Sequence, residues 1–167
     1  QPATNAHAEA AVKRVKTACR RNLLQSGLTT HWFGEAGRHG CFARNVEIFK
    51  GESVYNLRHG RHFEGERIPF GALLDYMPGN DTRKKQDTMN PKGVPGIFLG
   101  YHLHTGGRWS KDYIMVNFQY FKDNPDVQPG QVLIERTQEI ILPIHLQFKF
   151  PIAEWRNAHS RSITNPP

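Results

Sequence analysis

The sequence predicts an α+β fold, an antiparallel helix pair followed by a small antiparallel β-barrel. Apolar residues recur every three or four positions through residues 1–25 and again through about 31–45, as one face of an α-helix requires. From Phe70 onward the pattern changes to short alternating runs rich in Phe, Tyr, Ile and Val, divided by Gly, Pro and Asp. Ser26-Gly27 and Thr105-Gly106-Gly107 punctuate the chain as a helix stop and a hairpin turn.

The first helix carries two stripes. Ala8, Ala11, Val12, Val15, Cys19 and Leu23 form the apolar one. Glu9, Lys13, Lys16 and Arg20 form the other, a carboxylate expected in the first turn with cations behind it on the same face. The simplest account is a solvated face, with Glu9 favouring the positive helix end and pairing with Lys13. Thr29 or Thr30 offers an N-cap for the second helix, whose apolar face is Trp32, Phe33, Ala36, Cys41 and Phe42. Gly34, Gly37 and Gly40 weaken it by up to about 1 kcal/mol each and permit close packing on a neighbour. The short turn between the helices implies an antiparallel pair. Such a pair has too little core to stand alone, so further chain upstream is expected to cover it.

Residues 50–69 read as an irregular, Gly-rich linker. Strands are expected over 70–77, 96–103, 109–121 and 131–142, with a charged loop over 80–91 centred on Arg83-Lys84-Lys85. Closing four or five such strands into a barrel removes exposed edges. The expected divisions are 1–49 for the helices, 50–69 for the linker, 70–146 for the barrel and 147–167 for a flexible tail, disordered at its end.

A chain of 167 residues holds one domain or two small ones. The hydrophobic share of 38% and mean hydropathy of -0.61 imply a real core with sizeable exposed segments. A net charge of +7 and a pI near 9.6 favour a polyanionic partner, nucleic acid before anionic membrane. No apolar run approaches the roughly eighteen residues of a membrane span, and no membrane partner is expected. The chain starts without Met and is expected to belong to a longer one, so the lack of a targeting signal carries no weight. Cys19 and Cys41 fall on apolar helical positions; a disulfide between the helices is open, and buried free thiols in a reducing compartment are the expectation. No His stands at finger spacing from them, which excludes a zinc finger. His59, His62, His102 and His104 read as exposed polar residues, the last two facing one side of a strand.

The run TNAHAEAAVKRVKTACRRNLLQSGL is followed by HWFGEA and Arg44-Asn45. Then come Ser53-Val54-Tyr55, Arg58-His59-Gly60, Phe63-Glu64-Gly65, Ile68-Pro69-Phe70-Gly71 and Pro95-Gly96-Ile97-Phe98-Leu99-Gly100-Tyr101. In this order they resemble copia-type retrotransposon Pol polyproteins, especially the divergent copia-like elements of dinoflagellates, over roughly residues 1–153. The likeness is to the last two helices of an RNase H-like integrase core and to the SH3-like domain after it, with its FLGY-type strand.

The resemblance implies a fragment of an integrase, a Mg²⁺- or Mn²⁺-dependent polynucleotidyl transferase for DNA strand transfer. It makes Glu9 the glutamate of a triad with two aspartates, catalytic and metal-ligating. Such chemistry needs carboxylates because hard cations prefer oxygen ligands, and two of them steady the attacking and leaving oxygens. Asn5 at a loop-to-helix junction, Lys13, Lys16 and Arg20 become contacts to a DNA end, with capping as the plain alternative for Asn5. Arg83, Lys84, Lys85 and Lys92 become backbone contacts. Tyr101, Trp109 and Tyr113 are candidates for base stacking, with barrel core the favoured role. The two aspartate-bearing strands of the family are not in this chain, so the fragment alone is expected to bind no metal and to be inactive. Asp75, Asp81, Asp87, Asp112, Asp123 and Asp126 fall in the barrel or its loops and are not recruited. The implied partners are DNA, at element ends and target, RNA as the alternative nucleic acid, and further integrase subunits, in the nucleus. The competing readings are a stand-alone basic SH3-like adaptor for nucleic acid or peptide, and a decayed element remnant.

Overall fold

The structure, a computed structural model, describes residues 2–79 and 93–163. Helix α1 runs Pro2–Ser26, begun by a proline whose fixed φ suits a first helical position. Asn5 therefore lies inside the helix rather than at a loop junction, and Glu9 lies beyond the first turn; both expectations are corrected. Gly27 ends α1 with φ at 74°, its N–H donating to the Leu23 carbonyl at 2.9 Å. A 3₁₀ turn at Thr30–Trp32 leads into α2, Phe33–Val46; Thr29 precedes it without a side-chain cap bond. The expected irregular linker holds α3, Val54–His59, capped by Ser53 Oγ accepting from the Asn56 N–H at 3.0 Å. Six residues are too few for a periodicity to register.

Five antiparallel strands follow: β1 Leu73–Tyr76, β2 Val94–Leu103, β3 Trp109–Asn117, β4 Ile134–Thr137 and β5 Ile140–Ile141. A short helix, α4 Gln119–Asp123, takes the end of the expected third strand. The single strand expected over 131–142 is split, β4 pairing with β3 and β5 with β1. The sheet order is β4-β3-β2-β1-β5, so the sheet is not closed as the barrel expectation required. Its edges are instead kept short, at four and two residues, which limits the same liability without closure. Side chains reach between β4 and β1, which are not ladder neighbours: Tyr76 Oη donates to Glu135 Oε2 and the Gly79 N–H to Glu135 Oε1. At the bend after β4, Thr137 Oγ1 donates to the Met77 carbonyl at 2.9 Å, and the Met77 N–H donates to Glu139 O at 3.0 Å.

Both sides of β2 are buried. Ile97 and Leu99 join Leu28, Trp32, Ala36, Phe70, Val116, Phe121, Val127 and Ile152. Phe98 and Tyr101 join Phe42, Val46, Tyr55, Ile68, Trp109, Tyr113 and Met115. Strict alternation would put Tyr101 with Leu99; a register shift between Phe98 and Gly100 moves it to the side of Phe98. Helix α2 serves both cores, with Ala36 in one and Phe42 and Val46 in the other. Polar tips are satisfied: Trp32 Nε1 donates to Val127 O at 2.9 Å, and Tyr101 Oη accepts from the Ile68 N–H and donates to Glu66 O. Each large apolar side chain buried this way contributes about 1.5–3 kcal/mol.

The segment expected as a flexible tail forms α5, Pro151–Ile163. Ile152 is buried, and Arg156 donates to the Gly27 and Pro125 carbonyls and pairs with Asp126 at 2.6 Å. One apolar anchor and a backbone-binding arginine leave little periodic signal, and Pro151 is a helix start rather than a breaker.

His39 is buried among the Phe70, Phe98 and Tyr101 rings. Its partners assign the proton to Nε2, which donates to Ile68 O at 2.9 Å, while Nδ1 accepts from Asn22 Nδ2 at 3.3 Å. Burial pushes its pKa below the ordinary value, opposed in part by the Ile68 bond. The unfolded chain then takes up the proton first, so this contribution to stability is complete above about pH 6.5 and declines as pH falls below it. Urea midpoints measured from about pH 7.5 to 5 are expected to drop further in the wild type than in His39→Gln; equal drops would refute the assignment.

Candidate nucleic-acid interface

From Asn5 to Thr17 helix α1 is exposed on every side. What holds it begins at Ala18. A Cβ on Gly40 would lie 2.7 Å from Ala18 Cβ, and one on Gly37 would lie 3.0 Å from Cys19 Sγ. Glycine at these two positions lets α2 approach α1 more closely than any other residue allows. One turn on, Asn22 Nδ2 donates to Ala36 O at 2.8 Å. The helix is thus gripped at its C-terminal end and projects at the other.

That projection carries the charged stripe. Glu9, Lys13, Lys16 and Arg20 line one shallow surface of α1, and Asn5 stands one turn ahead of Glu9. Lys13 also lines a groove of about 610 Å³ between α1 and α2, together with Arg14, Arg21, Arg44, Arg67 and the single acid Glu47. The two surfaces are therefore continuous through Lys13. Among the described residues the ion pairs are Arg38–Glu35, His104–Asp112 and Arg156–Asp126, none of them on these surfaces. The expected Glu9–Lys13 pair is not formed. Several unneutralised cations side by side raise the local positive potential and concentrate polyanions.

Glu9 is exposed among cations. Among the described residues no three His, Cys, Asp or Glu side chains group to hold a metal ion. The described residues around Glu9 do not fit a pair of Mg²⁺ ions, which need several carboxylate oxygens.

Arg83, Lys84, Lys85 and Lys92 lie outside the described residues. Tyr101, Trp109 and Tyr113 are buried at 9%, 8% and 8% exposure, so their faces serve the core and not a stacked base. Cys19 is buried as expected; Cys41 is exposed, because α2 turns Gly37 and Gly40 toward α1 and Phe42 toward the core. His102, in β2, and His104, just beyond its end, bring their rings to 5.1 Å. Arg136 Nη1 donates to His102 Nε2 and His104 Nε2 meets Asp112, which occupies both rings within the protein.

Sequence reasoning did not single out Arg14, Arg21, Arg44 and Arg67 as one site. Part of the signal was present. Arg14 and Arg21 are seven apart and share a helix face, and Arg44 lies one turn beyond Gly40, where small residues mark the close approach. Arg67 had no local signal, since it comes from beyond α3 and is steadied by donating to Val46 O at 3.0 Å. No protein-family model, curated protein or solved structure matches the chain.

The groove depends on the helices staying close. Gly40→Val is expected to cost about 1–3 kcal/mol by overpacking against Ala18. Gly34→Val, with nothing within 4 Å of the new Cβ, is the control and should be nearly neutral. Equal losses of denaturant midpoint in the two variants would refute the close contact as a determinant of stability.

Proposed function

We propose that this chain is a fragment of a copia-type retroelement integrase, the last helices of its catalytic core with the SH3-like domain that follows, and that it binds DNA through α1. The single observation that carries the binding role is the continuous cationic surface from Lys16 and Arg20 through Lys13 to Arg14, Arg21, Arg44 and Arg67. Its lysines and arginines suit phosphate contacts, which position a duplex without reading its sequence. The net charge of +7 acts in the same direction.

The integrase part of the proposal rests on the ordered motifs, and local geometry supports it in two places. Contacts between α1 and α2 step down one helix as they step up the other, from Asn22–Ala36 to Ala18–Gly40, which supports the antiparallel pair. The bonds from Glu135 and Thr137 of β4 to Tyr76, Met77 and Gly79, at and just beyond the end of β1, link two strands that are not ladder neighbours, which supports an SH3-like arrangement. Glu9 would serve a metal site only with aspartates from elsewhere, so this chain is proposed as a binding unit and not as a catalyst.

A second reading, a basic adaptor for an acidic peptide, is favoured by the same cations, which attract carboxylates as well as phosphates. Titration of a fluorescent duplex over a salt series separates the two. Lys13→Ala with Lys16→Ala is expected to weaken binding and reduce the slope of log K against log salt by about one to two. An unchanged slope and affinity would sink the DNA role of this face. An acidic peptide that outcompetes duplex DNA of equal charge would favour the adaptor.

A further inference from the structure

We infer that His39 and Asn22 form a proton-sensitive latch between α2 and α1: a second proton on the His39 ring breaks the hydrogen bonds that Asn22 makes to α2, and α1 loosens from α2 in mild acid.

The latch is a chain of hydrogen bonds closed at each end by a backbone carbonyl. His39 Nε2 donates to Ile68 O at 2.9 Å, and its Nδ1 accepts from Asn22 Nδ2 at 3.3 Å. The same Asn22 Nδ2 donates to Ala36 O at 2.8 Å. A carbonyl oxygen only accepts, so each end fixes the direction of the bond beside it. Ile68 O requires a proton on Nε2, and Ala36 O requires the amide nitrogen of Asn22 on its side. The middle link therefore closes only while Nδ1 carries no proton.

Protonation upsets this order. An Nδ1–H would face the Asn22 N–H, donor against donor. Turning the amide over would offer Oδ1 to Nδ1–H, but would also set that oxygen against Ala36 O, acceptor against acceptor. No orientation of Asn22 keeps both bonds, and both of them join α1 to α2.

The surroundings offer the extra charge no partner. The ring lies among Phe70, Phe98 and Tyr101, and the Tyr101 hydroxyl is committed to the Ile68 N–H and Glu66 O. In the segment that carries Ile68, Glu66 and Arg67 are exposed, and Arg67 donates to Val46 O. The other titratable groups that share a cavity with His39 are Cys19 from α1, Glu35, Arg38 and Cys41 from α2, and His102 from β2. Glu35, the one carboxylate among them, pairs with Arg38 at 2.7 Å. His102 accepts from Arg136, and the Cys19 S–H donates to Phe33 O. Burial lowers the His39 pKa accordingly.

The position gives the latch its effect. Beside Asn22, the hold of α2 on this part of α1 consists of small-residue contacts at Gly37 and Gly40 and the Cys19 S–H bond. Residues Asn5 to Thr17 beyond them are exposed. The latched state refuses the proton, and the opened state takes it near the ordinary histidine value. Opening is therefore favoured as pH falls below about 6.5. The inference stands whether or not α1 binds DNA.

The test follows amide hydrogen exchange of the full chain, without nucleic acid, from about pH 7.5 to 5, with rates corrected for their intrinsic pH dependence. Protection from Ala18 to Asn22 is expected to fall by up to about tenfold per pH unit below about 6.5, while β2 and β3 keep theirs. Constant protection in α1, or an equal fall in α1 and the strands, would overturn the inference. His39→Gln should abolish the fall; the same fall in that variant would assign the titration to another group and sink the latch. If His39→Gln does not fold, Asn22→Asp decides, because a carboxylate there accepts from Nδ1–H. Nuclear magnetic resonance titration of the His39 ring should then show its pKa raised by about one unit or more, with α1 protection no longer falling in acid. An unshifted ring, or the wild-type fall, would count against the proposal.

Discussion

An apolar strand with two buried faces needs two covers, and most of this protein is arranged to provide them. β2 presents Ile97 and Leu99 to one side and Phe98 and Tyr101 to the other. Water is excluded from the first side by Trp32, Ala36, Phe121 and Ile152, which come from three separate stretches of chain. The second is closed by an aromatic set in which Phe42, Phe63, Tyr101 and Trp109 meet within 4.6 to 5.8 Å of one another along the chain of contacts. Because α2 contributes to both covers, the helical and sheet regions are one packing problem rather than two. A change at β2 is therefore felt in α2, and through α2 in the placement of α1.

That dependence explains why parts of the fold were legible and parts were not. α1 and α2 are long enough for their periodicity to show, and Gly27 stops α1 where a left-handed residue is needed. β2 was legible because burial on both faces leaves an almost unbroken apolar run. The bulge beside Gly100 was not, since alternation alone assigns Tyr101 to the wrong side. The split between β4 and β5 was hidden for a similar reason. Its cause is a set of non-local bonds from Thr137 and Glu139 to Met77, sixty positions away for Thr137. Among the described residues α5 is anchored by Ile152, by Arg156 and by the close approach of its first turn to Gly27, a signature that composition does not distinguish from a loose end.

The same contrast applies to the candidate interface. The stripe of Glu9, Lys13, Lys16 and Arg20 follows from helix geometry alone, and these residues do share a surface. The groove beside it combines α1, the end of α2 and Arg67, and its existence depends on the absence of a Cβ at Gly40. Tertiary proximity of this kind is encoded by what is missing from a side chain, which a charge count does not register. The first-turn position expected for Glu9 fails on a simpler point. Pro2 starts the helix earlier than the polar residues suggested, and the helix dipole then acts on Glu9 less strongly.

The bond from Arg156 to the Gly27 carbonyl joins residues 129 positions apart. Gly27 is the hinge-pin at which α1 ends, so the direction in which the helix points is braced by the far end of the chain. In mechanical terms α1 is a lever, Gly27 its fulcrum and α5 the bracket bolted to that fulcrum. The lever's bearing is then a property of the whole molecule. Whatever engages the exposed half of α1 pulls, through this bracket, on a helix that it never touches.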